Sequence, residues 1–365
     1  MSWLLWVFIL FSVFYIGVVL LVIYALNHLE RNIPSKNTPF ISIVIAARNE
    51  ETRLGPLLSS LQQLSYPADR FEVIFVDDHS SDQTVRLLMK EAATRKNWSV
   101  LRIEQDSDKY HAKKMALAKG VDHARGRIIF VTDADCRVPR DWLQTMVSYF
   151  DEKTDMVLGY SPLEDRSGFL DKWLKFDNLF SAITVAAPVQ LGFPISSVGR
   201  NMAFLKSAYE RVGGYRALTG FRSGDDIHLT ERMRDLSPGE IRYCAHPDSF
   251  VYTQPPDTGR EIFYQQLRKN SKILDKSRRS AAFSIVLFLA YALFFTLPLF
   301  NSSWLTVWAV VLAGKYLLEY VALHKSCKIF RNKELIPYLP LMMLLYPFYV
   351  MILGFIGYLH LYEWK

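Results

Sequence analysis

Cysteine is nearly absent. Cys136, Cys244 and Cys327 are the three in 365 residues, with neither paired nor metal-ligand spacing. That excludes a disulfide scaffold and leads us to expect a reducing compartment for the soluble part. Charge is also scarce, at 22% of residues, and unevenly spread. Residues 1–27 carry none and residues 281–362 carry few, mostly clustered over 324–334, whereas the middle is an ordinary charged globular sequence. The apolar ends hold about 110 residues and leave about 250, enough for one large or two small domains with a full core. Neither a wholly soluble protein nor a disordered chain fits this division. Two further absences narrow the function. No GxGxxG follows the first strand pattern, and no GxxxxGKS or GxxxxGKT occurs, so a dinucleotide oxidoreductase and a P-loop ATPase both lose their main signature.

Long hydrophobic runs are plentiful. Residues 3–26 contain no charge and exceed the roughly 20 residues that span a bilayer. They lack the basic start and small-residue cleavage site of a signal peptide, so an uncleaved anchor is expected. Residues 281–300, 302–322 and 335–361 are further candidates, giving about four transmembrane helices. Pro337 and Pro340 fall early in the last. Lys315 and Glu319 lie four apart within the third, either as a neutralising pair facing the bundle or as a contact for a lipid headgroup or acceptor phosphate. The net charge is +7, and much of the excess falls in residues 28–36, 269–279 and 324–333, beside the apolar runs. A membrane partner accounts for this more simply than nucleic acid, which is not expected. All these basic flanks fall on one side, so the middle of the chain is expected to be cytoplasmic in a multi-pass protein of the bacterial inner membrane. The expected domains are an anchor over 1–27, a catalytic domain over 38–259, an interface helix over 260–280 and three transmembrane helices over 281–362.

The middle reads as alternating strand and helix: strands over 41–50, 71–80, 100–104 and 127–136, helices over 54–64, 84–94 and 113–125. Such alternation predicts an α/β fold with a mostly parallel sheet, whose ligands bind beyond the carboxyl ends of the strands. Arg48, Asp77, Asp78, Asp133 and Asp135 all lie at such ends. Asp133 and Asp135 flank one small residue after a strand, an arrangement suited to a hard divalent cation and its phosphate ligands. Asp77 and Asp78 suit the edge of a nucleobase or ribose, or a cap on the following helix. Lys113 suits a diphosphate, with Lys114 as its rival. Asp225 and Asp226 open a helix, where they either stabilise its start or supply a base for an acceptor hydroxyl. Gln265, Gln266 and Arg268 lie on a basic amphipathic stretch over 260–276, suited to phosphate or to the membrane surface, with Ile262, Phe263, Leu267, Ile273 and Leu274 as apolar anchors.

Taken in order, these segments resemble a membrane-bound family two glycosyltransferase of the GT-A fold, over about residues 40–277. ISIVIAARNE is similar to the family's first strand, and FVDDHSSDQT to its VDDxSxDxT nucleotide-binding segment. HAKKMALAKG is similar to GKxxALNxG, with Lys113 on the lysine and Ala112 and Ala118 replacing the glycine and asparagine. VTDADC resembles the metal-binding DxD strand, GRNMAF the acceptor-side segment and GDDIHL the GEDxxL segment. QQLRKNSK stands where QxxRW is expected, with Lys269 in place of the tryptophan. The resemblance implies an inverting transferase with a nucleotide sugar as donor, UDP by default, and Mg2+ or Mn2+ as cofactor. It implies metal binding through Asp135 with Asp133, and donor binding through Arg48, Asp77, Asp78, Lys113, Asp133 and Gln265. The base falls on Asp226, with Asp225 and Arg268 assisting. A lipid-linked or hydrophobic membrane acceptor is expected, with transfer of one sugar or a few. The alternatives are a processive polysaccharide synthase and a non-catalytic membrane scaffold.

Overall fold

The computed structural model describes residues 3–29, 37–103, 112–218, 224–271, 286, 289, 294–296 and 302–358. The chain divides into two compact units. One holds Leu29–Arg166 and Thr184–Gln254, the other Met1–His28, Ser167–Ile183 and Pro255–Lys365.

The first unit contains a seven-stranded sheet. Its strands are β1 (Ile41–Ala47), β2 (Phe71–Asp77), β3 (Trp98–Arg102), β4 (Ile128–Val131), β6 (Thr154–Gly159), β7 (Met202–Leu205) and β8 (Glu240–Cys244), in the order β3-β2-β1-β4-β7-β6-β8. β1, β2, β3 and β4 run parallel, with Val44 opposite Ile74 and Val131, while β7 is antiparallel to both its neighbours. The mostly parallel sheet expected from the alternation is therefore present, with one reversed strand. β1 and β2 are buried almost throughout and mostly apolar, Ser42 and Glu72 excepted, because strands covered on both faces have no solvent side to populate with polar residues. The first half is wrapped by α2 (Leu54–Leu61), α3 (Thr84–Ala93) and α4 (Ala112–His123). Gly120 lets α4 lie against the sheet, since a Cβ there would come within 2.4 Å of the Val44 side chain.

Beyond the ligand edge of β4 the chain continues through α5 (Trp142–Val147), β6, the long helix α6 (Phe169–Gln190), β7, α7 (Lys206–Arg211), α8 (Asp225–Leu236) and β8. The expected strand over 127–136 is shorter. β4 stops at Val131, a turn carries Asp133 and Asp135, and β5 (Cys136–Arg137) then pairs with β9 (Tyr252–Thr253) in a separate two-stranded ribbon.

The second unit contains α1 (Trp3–His28), the first part of α6, α9 (Gly259–Ser271), α10 (Leu305–Ile329) and α11 (Leu339–Tyr358). Among the described residues, three helical stretches are long and apolar enough to cross a membrane: Trp3–His28, Leu305–Ile329 and Lys333–Ile356. Most of the candidate span over 281–300 lies outside the described residues, as do the basic positions 31, 36, 272, 276, 278 and 279. α10 runs past the expected end at 322 and carries Lys325 and Lys328 near its C-terminal end. Pro340 sits in the first turn of α11, where a proline costs no hydrogen bond. α1 packs on α10 through Leu5, Phe8, Tyr15 and Val19 with Phe294 and Ala322. Of the expected membrane anchors on α9, Phe263 is exposed but Leu267 is fully buried, so Leu267 is a packing residue. Ile273 and Leu274 lie outside the described residues.

Candidate active site

The carboxyl ends of β1, β2 and β4 bring the first group of expected residues to one edge of the sheet. Asp77 and Asp78 are buried at the end of β2. The Asp78 amide donates to the Ala47 carbonyl, and its carboxylate lies 3.6 Å from the Arg48 guanidinium. Asp77 accepts the Ser80 amide and faces Arg102 at 3.9 Å. Helix capping is not their task. Asp82 accepts the Thr84 amide at 3.0 Å and the Glu51 amide at 3.2 Å. The crossing between these strand ends is tight. Asn49 and His79 both take positive φ, at 55° and 57°, an uncommon conformation for residues with a Cβ. Asn49 fixes the crossing by accepting the Ser81 amide and donating its own to the Ser80 hydroxyl.

After β4, Ala134 is buried in the core, so the chain turns with its methyl inward and an acid on either side. Lys113, from the start of α4, donates to Asp133 at 2.6 Å. Burial and then the charge of Asp133 push the Asp135 carboxyl above its ordinary range, against the opposing influence of Arg200. Glu50 joins this group, although its residue type alone gave no signal. Burial first, then the charge of Asp135, raise its pKa to about 7. Its position one turn beyond the end of β1, on the same edge as Asp77 and Asp133, is what links it to them.

Among the described residues no three His, Cys, Asp or Glu side chains form a metal-ligating group. The donor set still suits a hard divalent cation. Asp133 and Asp135 offer oxygen ligands on a turn where their like charges are uncomfortable together, and Mg2+ in particular takes one or two carboxylates and fills its shell from phosphates and water.

The second group lies at the start of α8. Gly224 adopts a left-handed conformation, with φ 84°, and the helix opens on Asp225 and Asp226. Burial raises the Asp225 carboxyl, and Lys114, 3.2 Å away, is the main opposing influence. Asp226 accepts the Gly199 amide at 2.9 Å. A Cβ on Gly199 would lie 3.3 Å from the Asp226 Cβ, so glycine permits this close approach. The two groups share their electrostatics, since Lys113 interacts most with Asp133 and also with Asp225 and Asp226.

Asn201, in the segment likened to the acceptor side, is fully buried. It accepts the Trp142 indole N–H at 3.0 Å and donates to the carbonyls of Tyr160 and Ser249 at 2.8 Å each. With all these bonds internal, it braces the turn carrying Gly199 and Arg200. Gln265 and Arg268 belong to α9, in the unit with the apolar helices. Gln265 is exposed, and the Arg268 side chain lies outside the described residues.

Known proteins bear on this arrangement. Residues 42–213 match the family model described as Glycosyl transferase family 2, and residues 128–357 match Glycosyl transferase family group 2. A Bacillus subtilis protein named "Probable glycosyltransferase YdaM" is 28% identical over 66% of this chain and 57% of its own length. A beta-monoglucosyldiacylglycerol synthase from Trichormus variabilis is 34% identical over 57% of this chain and 44% of its own. The chain thus spans about half the length of these relatives. Among solved structures, a mannosyltransferase from Pyrobaculum calidifontis, PcManGT, in complex with GDP-Man and Mn2+, is similar in fold. Its TM-score is 0.56 at 21% identity, covering 94% of this chain and 98% of that one. With a family model matching well over half of the chain and a GT-A-like sheet bearing acids at its carboxyl edge, this protein belongs to glycosyltransferase family 2.

Proposed function

We propose that this protein is an inverting, metal-dependent glycosyltransferase that moves one sugar, or a few, from a nucleotide sugar to a hydroxyl of a lipid or lipid-linked acceptor. The observation that carries this reading is the pair of neighbouring lysines on α4. Lys113 binds Asp133 of the DxD turn and Lys114 pairs with Asp225 beside Asp226, so two acid groups from distant parts of the sequence meet at one helix start. A donor site with a separate base is what transfer between two substrates requires.

In this reading Arg48, Asp77 and Asp78 seat the nucleoside. Lys113 exchanges Asp133 for the donor diphosphate, and Asp133 and Asp135 would hold the divalent cation. When bound, that cation would offset the charge of the leaving diphosphate. Asp226 takes the proton of the acceptor hydroxyl. The freed oxygen attacks the anomeric carbon from the face opposite the diphosphate, the carbon–phosphate-oxygen bond breaks, and the anomeric centre inverts without a protein nucleophile. Gln265 and Arg268 are assigned to the diphosphate through the family likeness, on a stretch over 260–280 whose sequence suits a membrane interface. The catalytic part spans 38–259 and faces the cytoplasm of a bacterial inner-membrane protein, as the basic flanks of the apolar runs favour.

Support for the acceptor class comes from the beta-monoglucosyldiacylglycerol synthases among the relatives, and support for donor and metal from the mannosyltransferase complex with GDP-Man and Mn2+. UDP sugars are the first donors to test, with GDP-mannose beside them. Purified protein incubated with Mn2+, single nucleotide sugars and a membrane lipid extract should yield lipids heavier by one hexose or N-acetylhexosamine, read by mass spectrometry. Absence of any sugar-bearing lipid and of nucleoside diphosphate release across the donor panel would overturn the reading, and long polymer from few initiations would favour a processive synthase.

A further inference from the structure

Two consecutive lysines on α4 have different surroundings. Lys113 is half-exposed and meets Asp133, whereas the Lys114 side chain is 3% exposed. Its ammonium lies 3.2 Å from the Asp225 carboxylate and donates to the Leu218 carbonyl at 3.2 Å. A buried ammonium is costly unless its partners are built around it. These partners stand on either side of residues 219–223, so one ammonium grips the chain before and after that segment. The start of α8 is held again one residue later, where the Gly199 amide donates to Asp226. Asp226 thus sits on a helix start clamped by Lys114 through its neighbour and by a backbone amide through its own carboxylate.

We propose that Lys114 is a positioning residue for the transfer step, acting through Asp225 to fix the start of α8 and hence the Asp226 carboxylate, without touching donor or acceptor. The proposal rests on Asp226 as the base. It divides the labour of the two lysines, Lys113 serving the donor and Lys114 the base. The physical requirement is accuracy, because a carboxylate takes a proton only from a hydroxyl within hydrogen-bond reach.

The test compares Lys114→Met, Lys114→Arg, Asp225→Asn and Lys114→Met/Asp225→Asn in the full-length protein. Transfer is measured per donor-binding site, counted by titration with nucleoside diphosphate and Mn2+, so that unfolded protein does not enter the rate. Lys114→Met should lower kcat about 100-fold, the scale of a small misplacement of reacting groups, while donor affinity stays near that of the wild type. Lys114→Arg should retain more of the rate. The double variant removes both buried charges and should recover about tenfold of what Lys114→Met loses, because an uncharged pair leaves neither partner stranded. A fall in donor affinity parallel to the rate would make Lys114 a donor ligand and overturn the proposal. So would a double variant as slow as Lys114→Met. Should Lys114→Met yield no donor-binding protein, the double variant and Lys114→Arg carry the test, and wild-type rates in both would overturn it. Wild-type protein and Asp226→Asn run alongside separate the causes of failure. No transfer by the wild type would overturn the glycosyl-transfer reading itself, and full turnover by Asp226→Asn would remove the base and this role with it.

Discussion

Buried charge is arranged differently in the two units. In the unit with the apolar helices it comes in opposed or hydrogen-bonded pairs. Lys315 is 2.8 Å from Glu319, which also accepts the Tyr15 hydroxyl, and Lys175 lies 3.5 Å from Asp171 and 3.7 Å from Glu334. Asp177 accepts the Tyr346 hydroxyl at 2.9 Å. In the sheet unit, the acids Asp133, Asp135 and Glu50 gather with Lys113 on Asp133, and burial with repulsion from a neighbouring acid raises the carboxyls of Asp135 and Glu50. Balanced charge is what a protein needs to bury ions for architecture, and unbalanced charge is what it tolerates where a ligand will complete the balance. The contrast teaches where to look for function, and it can be broken.

The sharpest break would come at the DxD turn. Asp135→Asn removes one oxygen ligand at the rim of the sheet and no core contact, so folding should survive while transfer falls to background. Calorimetric titration of nucleoside diphosphate with and without Mn2+ should lose its metal-dependent part. Unchanged metal-dependent affinity would take Asp135 out of the cation site and remove the functional meaning of the unbalanced charge.

Next in size is the base. Asp226→Asn should cut transfer by roughly 10²–10⁴-fold, the scale of positioned proton transfer, and leave donor binding nearly intact. Asp225→Asn should cost less, because Asp225 acts on its neighbour. Initial rates and donor isotherms on both variants decide the order. A larger loss from Asp225→Asn would exchange their roles.

The sequence made these acids legible for a geometric reason. In an alternating α/β chain every strand ends at the ligand edge, so residues such as Asp77 and Asp133 are placed as soon as their strands are recognised. Lys113 fell at the expected helix start for the same reason. Long-range pairings were another matter. Nothing local says that Lys114 reaches Leu218 across more than a hundred residues, that Asn201 spends its side chain on Trp142, Tyr160 and Ser249, or that Glu50 shares the field of Asp135. The turn that shortens β4 was also hidden, since the strand pattern runs straight into Asp133. β6 and α6 were missed because β6 is only six residues long and α6 mixes apolar and charged residues without a clean stripe.

On the balanced side of the contrast, Lys315→Met and Glu319→Gln should each lower the thermal stability of detergent-purified protein, since each strands a partner between α1 and α10. The double variant should regain much of the loss. Acceptor KM should not move. If KM for the lipid acceptor rises while melting is unchanged, Lys315 contacts a headgroup and the paired charges of the helical unit also mark a ligand site.

The smallest expected effect tests a balanced pair inside the sheet unit, at the end of the strands away from the acids. Glu72 on β2 accepts the Ser42 hydroxyl at 2.6 Å, the Arg125 amide at 2.7 Å and the Arg125 guanidinium at 2.8 Å. Ser42 in turn accepts the Gly126 amide, fastening the turn that leads into β4. Burial alone would raise the Glu72 carboxyl, but the bonds from Ser42 and Arg125 outweigh it and hold the pKa below its ordinary value. A depressed carboxyl stabilises the fold at pH values above its unfolded pKa of about 4.3, and that contribution is lost as pH falls through the lower, folded value. Glu72→Gln should therefore cost about 1–3 kcal/mol at neutral pH, the usual penalty for disrupting a buried hydrogen-bonded group. The gap to wild type should close as pH drops below about 4.3. Transfer per donor-binding site at pH 7 should be unchanged, because this pair is balanced and remote from the ligand edge. Unfolding curves at pH 7 and pH 3.5 with initial rates at pH 7 make the measurement. An equal gap at both pH values would remove the ionic contribution, and a slowed transfer step would show that a balanced pair remote from the ligand edge also serves the chemistry.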